Sequence, residues 1–237
     1  MNDNLLIFLI IFFAIFVQTA SGFGMGLIGM PLLTTFISLS VARPLISLLA
    51  LFLRLVMLIR YREALTLGSA WRLIAGALVG IPFGFLLLRQ IDGSMVQTGL
   101  GIVVTGYALY ALVGPKIPKL EGAGWAYGLG LTSGILSGAY NTGGPPVIIY
   151  AAGQGWSPER FKGNLQGFTL VNSLMVNAIH LAEGNFTGEV MNAFIIGIAA
   201  LVLGMAAGFT LDRYIDPALF RRIVLVLLLI LGLTLLF

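Results

Sequence analysis

The sequence predicts an all-α polytopic membrane protein made of two inverted five-segment repeats, with short Gly/Pro-broken segments at 23–39 and 142–155. Three observations predict it. Apolar residues make up 59% of the 237 residues and charged residues only 9%, against roughly 25% charged in soluble domains. Polar breaks cut the chain into ten apolar segments. Short motifs of the first half recur, in order, in the second. So few charges cannot cover a water-facing surface, which excludes soluble enzymes, nucleic-acid-binding domains and disordered chains. Mean hydropathy of +1.03 agrees.

About 20 apolar residues cross a bilayer. The first segment, 5–20, follows Met-Asn-Asp-Asn. No cationic region or small-residue cleavage site marks a signal peptide there, so it is expected to stay as a first span. Segment 23–39 is short and carries Gly24, Gly26, Gly29 and Pro31, so a broken helix and a re-entrant hairpin are both open. Segments 44–59, 70–88 and 94–113 complete the first half. The second half opens with 122–138, followed by 142–155, again short, with Gly143, Gly144, Pro145 and Pro146. Segments 163–182, 190–211 and 218–237 end the chain.

Charge chooses between two countings. If all ten segments change sides, one side receives Arg60, Arg62, Arg72, Lys116, Lys119, Arg160, Lys162, Arg213, Arg221 and Arg222. The other receives only Arg43 and Arg89. With eight spans the split is seven to five and the asymmetry vanishes. The positive-inside rule therefore favours ten crossings, in a cell (inner) membrane, with both termini outside the cytoplasm.

Gly80-Ile-Pro-Phe-Gly84-Phe85 running to Ile91-Asp92 matches Gly204-Met-Ala-Ala-Gly208-Phe209 running to Ile215-Asp216 at an offset of 124. Gly29-Met30-Pro31 matches Gly143-Gly144-Pro145 at 114, and Ser40-Val-Ala-Arg43 matches Ser157-Pro-Glu-Arg160 at 117. Five segments per half is odd, so the second copy enters upside down. Inverted repeats with interrupted helices at matching positions are a signature of secondary transporters, whose sites lie near the midplane. The expected organisation is a first repeat at 1–113, a cytoplasmic linker at 114–121 and an inverted second repeat at 122–237, together one transport domain.

Candidate site residues fall in three places. At Asn141-Thr142-Gly143-Gly144-Pro145, the glycines read as a helix break and Pro145 as the start of a half-helix, because proline is tolerated in a first turn. A helix start offers free N–H groups and a positive dipole to an anion. The first-half counterpart begins at Ser21 and Gly22. Close helix packing is the alternative use of such glycines. In segment 163–182, Gln166, Thr169, Ser173, Asn177 and His180 recur every three or four residues, with Asn172 at the edge of their face. Polar side chains in a spanning helix turn into the bundle or a cavity. Interhelical hydrogen bonding accounts for part of such a face. For His180, a headgroup-level position and a proton role are both open. Arg54 is the one cation left inside a segment, six residues before Arg60. It either snorkels to the interface or grips an oxyanion with its guanidinium. The candidate substrate-binding set is thus Asn141, Thr142, Gly143, Gly144, Asn172, Asn177, Arg54, Gln166, Ser21 and Gly22.

With no cysteine and a single histidine, no thiolate or His-cluster metal site can form. No Asp or Glu lies inside an assigned segment and no phosphate-binding Walker sequence is present. An enzyme, an ATP-driven pump and a cofactor are therefore not expected.

At Ser137-Gly138 through Gly143-Gly144-Pro145-Pro146, with a weaker copy from Gly22 to Pro31, the chain resembles the sulfite exporter TauE/SafE family. The likeness extends to size, duplicated halves and Gly/Pro-rich breaks. It implies transport, often export, of small sulfur-containing anions such as sulfite, sulfoacetate or related sulfonates. Met30 stands where the second half has Gly144, so the two breaks are not expected to contribute equally. The partners expected are a small anionic substrate and the lipid bilayer, with proton or ion coupling open and no nucleic acid. A channel-like weak-acid or anion pathway, a metabolite carrier and a non-transporting membrane partner are the alternatives.

Overall fold

The computed structural model describes residues 3–236 except 22, 23, 67, 69, 91, 116 and 212–215. The described residues form ten α-helices, a 3-10 turn at Arg62–Ala64 and no strand. The helices are α1 (Asp3–Ser21), α2 (Met25–Thr34), α3 (Leu39–Tyr61), α4 (Trp71–Arg89) and α5 (Gly93–Val113), then α6 (Ala123–Tyr140), α7 (Gly144–Gly153), α8 (Pro158–Ala182), α9 (Gly188–Leu211) and α10 (Pro217–Thr234). Each apolar segment thus becomes one helix. Among the described residues, four stretches are long and apolar enough to cross a membrane, Leu39–Tyr61, Trp71–Arg89, Ser94–Val113 and Gly188–Leu211.

Local chemistry sets several ends. Ser157 accepts the Arg160 amide at 3.3 Å and starts α8 just before Pro158. Asp216 accepts the amides of Ala218 and Leu219 and starts α10 before Pro217. Both are side-chain caps followed by proline in the first turn. α5 ends on Gly114 at φ 60°, the left-handed conformation that terminates many helices.

The helices sort into two compact units, each drawing on both sequence halves. The first unit comprises Met1–Leu49, Ile91–Pro115 and Gly184–Phe237. In it α1 runs parallel to α9, with Gly204 against Phe12 and Ile15 and Gly208 against Thr19 and Phe16. α5 and α10 pack antiparallel, with Gly101 against Gly232 and Leu235, and Gly232 against Thr105. α2 doubles back along α1: the Met25 amide donates to Gln18 Oε1 at 3.0 Å, and Gly29 faces Ala14.

The second unit comprises Ala50–Gln90 and Lys116–Glu183. Its spine is the parallel pair α4–α6. Gly76, Gly80 and Gly84 of α4 face the carbonyl oxygens of Tyr127, Leu131 and Ile135. Reciprocally, Gly130, Gly134 and Gly138 of α6 face the carbonyls of Leu73, Ala77 and Ile81. A Cβ at any of the six would overlap the opposing backbone, so only glycine permits this approach. Such spacing every fourth residue lets two backbones meet, with van der Waals and Cα–H···O contacts holding them. Val79, Phe83 and Leu86 of α4 are exposed, an apolar face suited to lipid.

Arg89 and Glu183 form an ion pair at 2.5 Å, with the Arg89 side chain 60% exposed. Exposed pairs contribute little. Arg89→Ala is therefore expected to lower stability by less than about 1 kcal/mol, read as a small shift in Tm.

Candidate functional site

The site lies in the second unit and begins where α6 ends. α6 closes on Asn141 at φ 55°, a left-handed conformation that asparagine tolerates. Two backbone bonds fix it, from Asn141 N to Ser137 O at 3.0 Å and from Thr142 N to Leu136 O at 3.3 Å. The chain then descends beside α6 without helical structure. Gly143 reaches the level of Ser133 and Ser137, where Ser133 Oγ donates to the Gly143 carbonyl. α7 starts there, at Gly144, with proline in its first turn. The expected break and half-helix are found within one residue of their predicted positions.

α7 has 10 residues, about 15 Å of helix at 1.5 Å per residue. It runs back along α6, since Leu120 N donates to Gly153 O at 3.1 Å. The chain therefore leaves α7 next to where it enters α6. A cleft of about 480 Å³ opens at this junction, lined in part by Arg72, Lys119, Glu121, Tyr150 and Gln154. The helix start at Gly144, by contrast, lies partway along α6.

The two glycines of the break differ. A Cβ on Gly143 would strike Ser137 Oγ and lie 2.7 Å from Ser133 O, so Gly143 is needed for packing. A Cβ on Gly144 meets nothing within 4 Å. Thr142 is 2% exposed and its hydroxyl has no hydrogen-bond partner among the described residues.

α8 supplies the facing surface. Gln166, Asn172, Ser173, Asn177 and His180 are all buried and Thr169 is half-buried, as the three- and four-residue spacing predicts. Part of this face is satisfied locally. Thr169 Oγ1 donates to Leu165 O at 2.7 Å and Asn177 Nδ2 to Ser173 O at 2.8 Å. Asn172 instead reaches across, with Nδ2 donating to Ser137 Oγ at 3.3 Å, while its Oδ1 has no partner among the described residues. His180 packs edge-on to Phe85 of α4, ring centroids 4.8 Å apart, and is 1% exposed. The ring is thus covered by α4 rather than open to solvent.

Arg54 turns toward α8 rather than along α3 to Arg60. Its Nη1 donates to Thr169 O at 3.0 Å and to Ser173 Oγ. Snorkelling is therefore not what this side chain does. Ser173, which Arg54 contacts, is followed back along α8 by Asn172, which bonds to Ser137 beside Gly143, so successive residues of α8 reach α3 on one side and the helix break on another.

Of the ten expected residues, Asn141, Thr142, Gly143 and Gly144 form the helix break, Asn172 reaches its neighbour Ser137, and Arg54 and Asn177 bond to α8 at Thr169 and Ser173. Gln166 lies two turns from Ser173 on α8. Ser21 ends α1 in the first unit, and Gly22 lies outside the described residues. Sequence reasoning missed Ser133, whose four-residue spacing from Ser137 was the available signal. It also missed Asn164, fully buried, whose Oδ1 accepts the Thr66 amide at 2.8 Å.

A guanidinium with unspent donors and a helix start are each groups that suit a small oxyanion. The sequence profile described as Sulfite exporter TauE/SafE matches residues 7–235. The chain belongs to the sulfite exporter TauE/SafE family. The resemblance read from the Gly/Pro-rich breaks holds, and membership makes this a multi-pass membrane transporter rather than an enzyme. A protein of Cupriavidus necator described as a probable sulfite/organosulfonate exporter TauE is 27% identical over 218 residues, covering 87% of this chain and 83% of that relative. No solved structure matches.

Proposed function

We propose that this TauE/SafE transporter exports small sulfonates and sulfur oxyanions across the cell membrane by alternating access between inverted halves. The observation that carries the reading is Arg54, turned onto α8 and held there by Thr169 and Ser173. Charged side chains inside an apolar helix bundle commonly mark an ion path, and the donors that Arg54 does not spend on α8 suit an oxyanion. The name of the Cupriavidus necator relative points to the same substrate class.

The helix pairing supports the duplication. The repeat equates α1 with α6 and α4 with α9, and in each unit the first helix of one half packs parallel to the fourth of the other. Arg54, equivalent to Val171 at the 117 offset, bonds to residues on either side of that position. A residue meets its own repeat partner near a two-fold axis. The out-and-back course of α6 and α7 supports the ten-segment alternation, and with it termini outside the cytoplasm.

In proteoliposomes, efflux of a simple sulfonate is expected to saturate and to support counterflow. Flux with neither property would make the protein a channel-like pathway. Absence of both flux and anion-dependent thermal stabilisation would make it a non-transporting partner. Gly144→Val is expected to lose most of the flux at nearly unchanged Tm, because its side chain enters open space. Unaltered flux would remove Gly144 from the substrate path.

A further inference from the structure

Arg54 has five N–H donors. Both Nη1 hydrogens are spent on α8, one on the Thr169 carbonyl and one on the Ser173 hydroxyl. The Nε–Nη2 edge has no protein acceptor among the described residues. That edge is the flat two-donor fork that matches two oxygens of one oxyanion.

No carboxylate accompanies it. Among the described residues Arg54 has no ion pair, and its partners, the Thr169 carbonyl and the Ser173 hydroxyl, are neutral, as is Asn172 next along α8. The charged groups on the elements packed against α8 are Arg62 and Glu63 on the 3-10 turn, and Arg72 and Arg89 at the two ends of α4. α6 and α7 carry none. On α3 itself Arg60 lies six residues on, and on α8 the buried titratable group is His180, seven residues beyond Ser173.

We propose that the Nε–Nη2 edge of Arg54 anchors a single-charged oxyanion head, such as hydrogen sulfite or a sulfonate group, and discriminates against doubly charged heads such as the sulfite and sulfate dianions. This rests on the transporter reading above. The physical reason is how the opposing energies scale. The desolvation cost of an ion grows as the square of its charge, whereas its attraction to one fixed cation grows only linearly. A monoanion leaves the occupied site neutral. A dianion leaves one charge unmatched among neutral hydroxyls and amides.

Sulfite tests this because it loses its second proton near neutrality, while methanesulfonate stays a monoanion. Affinity for each is measured by thermal stabilisation of the purified full-length protein across pH 6 to 9, with sulfate as a permanent dianion. Methanesulfonate, at the same pH values, reports any contribution from His180. The expected result is a methanesulfonate affinity that changes little. Affinity for total sulfite should weaken by about tenfold per pH unit above its second pKa, with sulfate at least tenfold weaker than methanesulfonate. Sulfite binding that holds or tightens as pH rises relative to methanesulfonate, or sulfate binding equal to methanesulfonate, would overturn the monoanion assignment while leaving the transporter reading intact. Binding of none of the three would overturn both.

Discussion

Gly134→Ala is expected to destabilise the protein by about 3 kcal/mol, the upper end of ordinary overpacking, and to lower Tm in detergent accordingly. The added methyl would overlap the Ala77 carbonyl of α4. That neighbour is backbone, not the end of a flexible side chain, so relief requires α4 and α6 to move apart. The separation would break the reciprocal contacts at Gly76, Gly80, Gly84, Gly130 and Gly138 as well. Gly128→Ala, on the same helix, is the control, because a Cβ there meets nothing within 4 Å. It gains helix propensity, about 1 kcal/mol at most, and should be neutral or stabilising. Equal Tm values for the two variants would show that the glycine ridge does not hold this pair together.

The same glycines show what could be read in advance. Gly80 and Gly84 stood out in sequence as a motif repeated at Gly204 and Gly208, but the motif does not say which helix it meets. Partner choice is a long-range matter, and Gly130, Gly134 and Gly138 lie on a helix about fifty residues away. The break at Gly143–Gly144 was legible because glycine and proline act on their own backbone. The buried face of α8 was legible because helical period alone puts those residues in line. How each spends its donors was not. Asn177 and Thr169 turn back onto their own helix while Asn172 crosses to Ser137, a rotamer choice set by neighbours that no spacing encodes. His180 shows the same gap: its spacing puts it on the polar face, but not against Phe85 of α4, which covers it.

Arg54→Lys and Arg54→Gln are expected to separate charge from shape at the site. Lysine keeps the positive charge but is a point donor on a flexible stem and loses the planar fork. It should bind methanesulfonate about 10–100-fold more weakly than the native protein, a difference of roughly 1.4–3 kcal/mol. Glutamine removes the charge as well and should show no anion-dependent stabilisation. Both variants also lose the Nη1 contacts to Thr169 and Ser173, so a lower Tm without anion is expected, by roughly 1.5–3 kcal/mol for hydrogen bonds to a charged group. The baseline Tm and the anion-induced shift must therefore be read separately. Were Arg54 only a clamp between α3 and α8, both variants would lower the baseline and leave the shift intact. If the free Nε–Nη2 edge is the anion anchor, the shift falls in the order Arg, Lys, Gln whatever the baseline does. That order distinguishes a ligand from a clamp, because hydrogen bonds to α8 are common to both roles and only the unspent edge belongs to one.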